Sequence, residues 1–328
     1  MLGYYFRLAL RSFLRNKVLT ALMVLAIALG IGASMTTLTV FHVLSGDPIP
    51  AKSERLFRVQ LDPETKEGYK PGEQPQRDLT RFDAEELLRQ HKAKHQALMT
   101  GGGGAVEPEN STLKPFVLSM RYTSADFFPM FDTPFVAGRG WSKADDDAHA
   151  RVAVITRKLA EKLFGTDAAT GREVRVEGNG LRIVGVLGDW DPKPHFYDVN
   201  VGRYNADEQV FVPFTTAMDL KLGRNGNMNC FGREIPNDSL AVNAPCAWLQ
   251  YWVELDSPAQ AGDFKAYLDN YSEQQRAAGR FERPANTRLR DVMAWLDFNK
   301  VVPGDVRLQM WLAFGFLLVC LVNTIGLL

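Results

Sequence analysis

Apolar and polar positions divide this chain into three parts. Residues 18–44 (VLTALMVLAIALGIGASMTTLTVFHVL) form a run of 27 without Asp, Glu, Lys or Arg, with His42 near its end. At 1.5 Å per residue such a run makes about 40 Å of helix, enough to cross a hydrocarbon core of about 30 Å. Residues 311–328 (WLAFGFLLVCLVNTIGLL) are a second uncharged run, of 18. Arg307 and Trp311 stand at its start as interfacial anchors. Between the two runs the pattern changes to short alternating stretches typical of a folded domain.

In that middle part, 55–61, 116–122, 151–155, 173–177, 181–187, 209–214 and 247–255 read as strands. Residues 83–98 read as a helix with Asp83 capping its first turn, and Ser124 as the cap of a short helix through Phe128 and Met130. Thr156 is an N-cap for RKLAEKLFG, which Gly165 ends. Gly178-Asn179-Gly180 reads as a hairpin turn. Ser257-Pro258 opens a helix from 259 to about 278, and 289–299 is expected to be helical. The glycine run 101–104 and the Asn-rich 223–229 read as loops. Strands and helices alternate, so the expected fold class is membrane α-helical spans plus an α+β (mixed α/β) domain.

Charge adds the topology. The chain carries 38 basic and 38 acidic side chains, but they are not mixed. No acid precedes Asp47, whereas Arg7, Arg11, Arg15 and Lys17 do. After Asp305 the only charge is Arg307, which leaves 33 bases against 38 acids in the middle. The positive flank places the N-terminus in the cytoplasm and the middle domain outside. A cleaved signal peptide would have an apolar core of about 7–15 residues, so the longer run here reads as an uncleaved anchor. The arginines recur every four residues beside Tyr4, Tyr5, Leu8, Phe13 and Leu14. That spacing suits a helix lying on anionic lipid, or equally a basic flank that only sets topology. The resulting division is 1–17 cytoplasmic and amphipathic, 18–44 first span, 45–305 periplasmic, and 306–328 second span. The chain stops there without a positive flank, so a longer natural protein is expected.

Candidate chemistry is sparse. His91 and His95 stand four apart on the expected helix, as two zinc ligands can, but no third ligand is placed and Lys92 and Lys94 oppose a cation. Asp145-Asp146-Asp147 lacks the spacing of a calcium loop and reads as a charged turn. No Walker, G-x-S-x-G or H-E-x-x-H motif occurs, so the chain reads as a non-enzyme with no cofactor. No strongly basic domain favours nucleic acid as a partner. Cys230 and Cys246 fall in the outward domain, where a disulfide is favoured over two free thiols. Cys320, in the second span, reads as a packing residue. Trp248, Tyr251 and Trp252 alternate in a way that means strand core more often than a ligand surface.

The N-terminal run, then TSADFFPMFDTPFVAGRGWS, RVAVITRKLAEKLFG and TGREVRVEGNGLRIVGVLGD, together resemble MacB-type (FtsX-like) ABC permeases and their periplasmic core domain. The matching positions are Phe127, Phe128, Gly138, Arg139, Val154, Ile155, Leu163, Phe164, Gly165, Gly171, Val184, Gly185 and Val186. Residues 200–245 are less like the family and read as an insertion. The resemblance implies four spans, one before the domain and three after it, and a domain of two subdomains. It implies ATPase-driven motion passed to that domain, called mechanotransmission, for export or extraction of peptides, drugs, lipids or lipoproteins. The partners implied are an ABC ATPase subunit, a second or related permease, membrane lipids, and a periplasmic adaptor or lipoprotein. The competing reading is a two-span receptor with a periplasmic sensor domain.

Overall fold

The computed structural model describes residues 17–108, 113–202, 204, 208–232, 237–302 and 304–327. The chain divides into two compact units. One comprises the chain ends, up to Gly46 and from Leu296; the other is Asp47–Trp295.

The chain-end unit opens with α1 (Lys17–Ser45). The elements of the second unit then follow in chain order. They are β1 (Leu56–Gln60), β2 (Leu79–Thr80), α2 (Arg81–Gln90), β3 (His95–Glu107), β4 (Phe116–Thr123), α3 (Phe127–Met130), β5 (Phe135–Gly138), α4 (Lys143–Asp147), β6 (Val152–Thr156) and α5 (Arg157–Phe164). Next come β7 (Glu173–Val176), β8 (Asn179–Leu187), a 3-10 turn at Phe196–Asp198, β9 (Glu208–Pro213), α6 (Phe214–Asp219), β10 (Asn229–Cys230), β11 (Cys246–Glu254), α7 (Pro258–Ala277), β12 (Arg288–Asp291) and α8 (Val292–Phe298). The last helix, α9 (Gly304–Leu327), returns to the chain-end unit.

The strands form one mixed sheet in the order β12-β1-β11-β3-β4-β9-β6-β8-β5. β4 pairs parallel with β9, and β6 with β8. β2 and β10 add to β11, and β7 bridges β3 and β8. The domain is thus mixed α/β, its two ends joined through a shared sheet.

Successive strand residues point to opposite faces, and the two faces differ in chemistry. Val59, Leu61, Leu98, Tyr122, Tyr251 and Val253 share one apolar core with Leu87 of α2, Leu159 of α5, and Phe264 and Leu268 of α7. Alternate residues of the same strands, among them Arg58, Arg121 and Trp252, stay outside that core and are fully buried. Trp248, Tyr251 and Trp252 are all wholly buried, as strand core requires.

Several helix ends follow from local chemistry. Thr156 accepts the Leu159 N–H at 3.3 Å to cap α5, and Gly165 ends it in the left-handed region. Ser257 caps α7 through the Gln260 N–H, with Pro258 in the first turn.

The structure corrects some expectations. The helix expected over 83–98 is α2, which starts earlier and ends at Gln90. Its cap is Thr80, not Asp83: the Thr80 Oγ1 accepts the Asp83 N–H and donates to the Asp83 carboxylate at 2.6 Å. His91 takes a left-handed conformation and closes α2. The glycine run 101–104 lies inside β3 rather than in a loop. A Cβ on Gly102 would sit 2.2 Å from the Tyr122 ring, and one on Gly101 would strike Asn225 and Val201. The glycines admit these groups against the strand. The hairpin turns on Glu177 and Gly178, both with positive φ, one residue earlier than expected. Residues 289–299 open with strand β12 before α8 begins. Asp126, not Ser124, precedes α3, without a side-chain cap bond.

In the chain-end unit, α1 and α9 are both long and apolar enough to cross a membrane. They pack at Gly30, where a Cβ would lie 3.2 Å from Leu317 Cδ1 and 3.4 Å from its Cα. Small residues at such contacts let helix backbones approach closely. Thr37 and Thr39 hydroxyls donate to the carbonyls of Ala33 and Met35 one turn back, so they are satisfied within the helix. Leu22, Leu25, Leu29, Leu312, Phe316 and Leu318 project outward.

Candidate functional site

The second face of the sheet carries an ionic and aromatic layer. β4 delivers Arg121, whose guanidinium meets Asp198 Oδ2 at 2.7 Å and hydrogen-bonds Glu208 of β9. The Tyr197 hydroxyl donates to the other Glu208 oxygen at 3.0 Å. β1 delivers Arg58, which donates to Asp78 Oδ1 at 2.5 Å and lies over the Trp295 ring. Asn200 donates to the remaining Asp78 oxygen at 3.1 Å. All five charged groups are buried. Burial opposes the charge on Arg121, but Glu208 and Asp198 outweigh it and raise its pKa above the ordinary range. At Arg58 burial wins over Asp78 and lowers the pKa. Burial raises the Asp78 carboxyl against the pull of Arg58. Tyr197 is pushed well above its usual value by burial and by Glu208.

Aromatic rings surround this layer. Phe127 of α3 and Phe131, which follows it, pack edge-on against each other, and Phe131 stacks on Tyr197 at 5.5 Å. Trp190 stacks on Tyr197 at 5.4 Å, and Phe196 meets Trp252 edge-on. The Trp252 indole N–H donates to the Tyr197 carbonyl at 3.1 Å. The 188–200 segment is thereby fastened down by its own aromatic residues.

Beside the layer opens a cleft of about 450 Å³. Its walls include Arg157 and Lys158 from the first turn of α5, Trp190, Lys193, Tyr197 and Phe211. Burial holds the pKa of His195, also in the wall, below the ordinary histidine value.

A third cluster lies where the chain enters the domain. Lys52 donates to the carbonyls of Pro129 and Met130, at 2.8 and 3.1 Å, and pairs with Asp132 at 2.8 Å and Glu254 at 3.4 Å. The Val292 N–H, at the start of α8, donates to the Ser53 carbonyl at 3.3 Å. The entry and exit segments of the domain are thus tied to each other.

The residues singled out from sequence fall elsewhere. His91 closes α2 while His95 begins β3, so the two share no helix face. Asp145 forms a capping box with Ser142, Asp146 accepts the Trp141 indole N–H at 2.8 Å, and Asp147 pairs with Lys143 at 2.7 Å. Among the described residues no three His, Cys, Asp or Glu side chains stand together as metal ligands would. Cys230 and Cys246 are directly opposed on β10 and β11, their sulfurs 2.01 Å apart. Cys320 is buried on α9. Lys17 begins α1, Arg307 and Trp311 lie on the first turns of α9, and Trp311 is exposed. Arg7, Arg11 and Arg15 lie outside the described residues. Sequence reading missed Arg58, Arg121, Asp198, Glu208 and Trp190. The available signal was a lone arginine inside each of two apolar strands, LFRVQ and FVLSMRYT.

Comparison with known proteins gives a family, two relatives and a solved structure. Residues 20–271 match the family described as the MacB-like periplasmic core domain. The pyoverdine export ATP-binding/permease protein PvdT of Pseudomonas aeruginosa is 29% identical over 94 residues, 29% of this chain and 13% of that protein. The macrolide export ATP-binding/permease protein MacB of Bdellovibrio bacteriovorus is 29% identical over 90 residues, 27% and 13% of the two chains. Each aligned segment thus spans far less than two thirds of the relative. The periplasmic region of MacB from Actinobacillus actinomycetemcomitans superposes with a TM-score of 0.48 at 13% identity, covering 78% of this chain and 97% of that one.

Proposed function

Since this chain belongs to the family of MacB-like periplasmic core domains, we propose that it is the permease part of an ABC exporter. In this reading ATP is hydrolysed by a partner subunit or domain. The motion passes through the membrane helices to the extracytoplasmic domain, which acts on a peptide, drug, lipid or lipoprotein.

One observation carries the reading: the family match begins at residue 20, inside the membrane-length helix α1, and runs on through the mixed sheet into α7. Span and domain therefore belong to one inherited unit. The domain's own contacts support a coupling role. A load entering through residues 49–55 meets Lys52, which grips α3 and Glu254 of β11. The Val292–Ser53 bond engages the exit segment as well. Phe127 of α3 meets Trp190 edge-on, and Phe131, directly after α3, stacks on Tyr197. The family is one of periplasmic core domains, not a known catalytic one.

The partners in this proposal are an ABC ATPase, a second or related permease, surrounding lipid, and a periplasmic adaptor or lipoprotein. The test is affinity purification of the tagged chain from native membranes, followed by limited proteolysis with and without ATP. An ATPase should copurify, and ATP should change the cleavage pattern of the extracytoplasmic domain. No ATPase and an ATP-insensitive pattern would sink the proposal.

A further inference from the structure

We propose that the cleft between the start of α5 and Trp190 binds a small planar aromatic molecule carrying a carboxylate or similar anion. Its volume of about 450 Å³ falls within the range of about 300–1,000 Å³ usual for small-molecule pockets. The walls offer two kinds of surface that such a ligand needs.

The first is flat and aromatic. Trp190 is half-buried and stacked on Tyr197 on one side, and Phe211 contributes a further ring to the lining. Tyr197 and Phe211 are themselves packed against Phe127, so this surface is rigid before any ligand arrives. Preformed surface lowers the ordering cost of binding.

The second is a guanidinium at the wall, and how the charges around it are engaged decides the sign of the ligand. Among the described residues the acids in the lining are Glu208, Asp189 and Asp191, and the bases are Arg157, Lys158 and Lys193. Glu208 is already engaged by Arg121 and by the Tyr197 hydroxyl. Asp191 pairs with Lys193 at 2.9 Å. Asp189 is 97% exposed and stands 3.8 Å from Arg157, too far for a hydrogen bond. Arg157 is the contrast: its Nε is buried and meets no hydrogen-bond acceptor among the described residues. A buried donor without a partner is unfavourable, and a ligand oxygen that reached it would relieve this. Arg157 and Lys158 also open α5, where the helix dipole favours an anion. The planar guanidinium matches a two-oxygen anion, and the neighbouring indole matches its ring.

The inference does not rest on the transport reading, because its test reads binding alone. The full chain is purified in detergent and titrated calorimetrically with 2-naphthoate, and separately with 2-naphthylmethylamine as the cationic counterpart. Saturable 2-naphthoate binding is expected, weakened about tenfold or more in Arg157→Gln and in Trp190→Leu, and weakened by added salt. The amine should bind at least about tenfold less tightly. Both variants are checked by near-UV circular dichroism. If one misfolds, the other carries the comparison. Equal binding of acid and amine, no saturable binding of the acid, or unchanged affinity in a folded variant would each overturn the proposal.

Discussion

Arg121 sits where two carboxylates meet one guanidinium out of water. Removing it leaves Asp198 and Glu208 buried without a counter-charge. Breaking one side of a buried pair typically costs about 3–5 kcal/mol. Arg121→Met should therefore lower the unfolding free energy of the domain by about that amount, read from urea denaturation of the purified chain. A loss below about 1 kcal/mol would mean that the pairing contributes no more than a surface ion pair. Arg58 and Arg121 were visible in the sequence as residues, but not as a cluster. A charge in an apolar strand can face solvent or a partner. Only strand register shows that both arginines point to the same covered face, beneath a segment that follows Arg121 by about 70 positions.

At the scale of elements, the bridge between β10 and β11 closes a loop of 16 residues. In an oxidising compartment we expect Cys230 and Cys246 to be bonded. The chain-entropy model assigns a loop of that size about 3 kcal/mol. Mass spectrometry of unreduced tryptic digests should recover the two cysteines in one linked peptide. Cys230→Ser should lower stability by about 2–4 kcal/mol. Separate peptides without reductant would exclude the bridge. Thr156, Gly165 and the Ser257-Pro258 pair were legible because caps act within a few residues. α2 was overextended because His91 and the lysines around it keep a helix-like polar spacing, whereas the chain leaves the helix there through a left-handed residue. The glycine run reads as a loop because glycine is depleted in strands. Its reason lies in Tyr122 and Asn225, which come to rest on β3 from elsewhere in the chain.

For the whole molecule, the two uncharged runs and the placement of Arg and Lys speak to topology. The chain is a membrane protein with an extracytoplasmic domain. We expect it in the bacterial inner membrane with the N-terminus in the cytoplasm. Protease added to intact spheroplasts should remove the Asp47–Trp295 domain and spare an N-terminal tag. A cleaved tag with a protected domain would reverse the assignment.

Sequence alone determined the two membrane-length apolar helices, the strand–helix alternation, the caps of α5 and α7 and the family resemblance. These depend on local periodicity, on uncharged length and on short motifs, all of which can be read along one dimension. The tertiary structure decided what lies under the 188–200 segment. It decided that two buried arginines meet three buried carboxylates, that Lys52 grips α3 and β11, and that Arg157 lines a cleft with its Nε unpartnered among the described residues. Each is a contact between distant positions, fixed by sheet order and register. A one-residue shift would turn the same side chain to the opposite face.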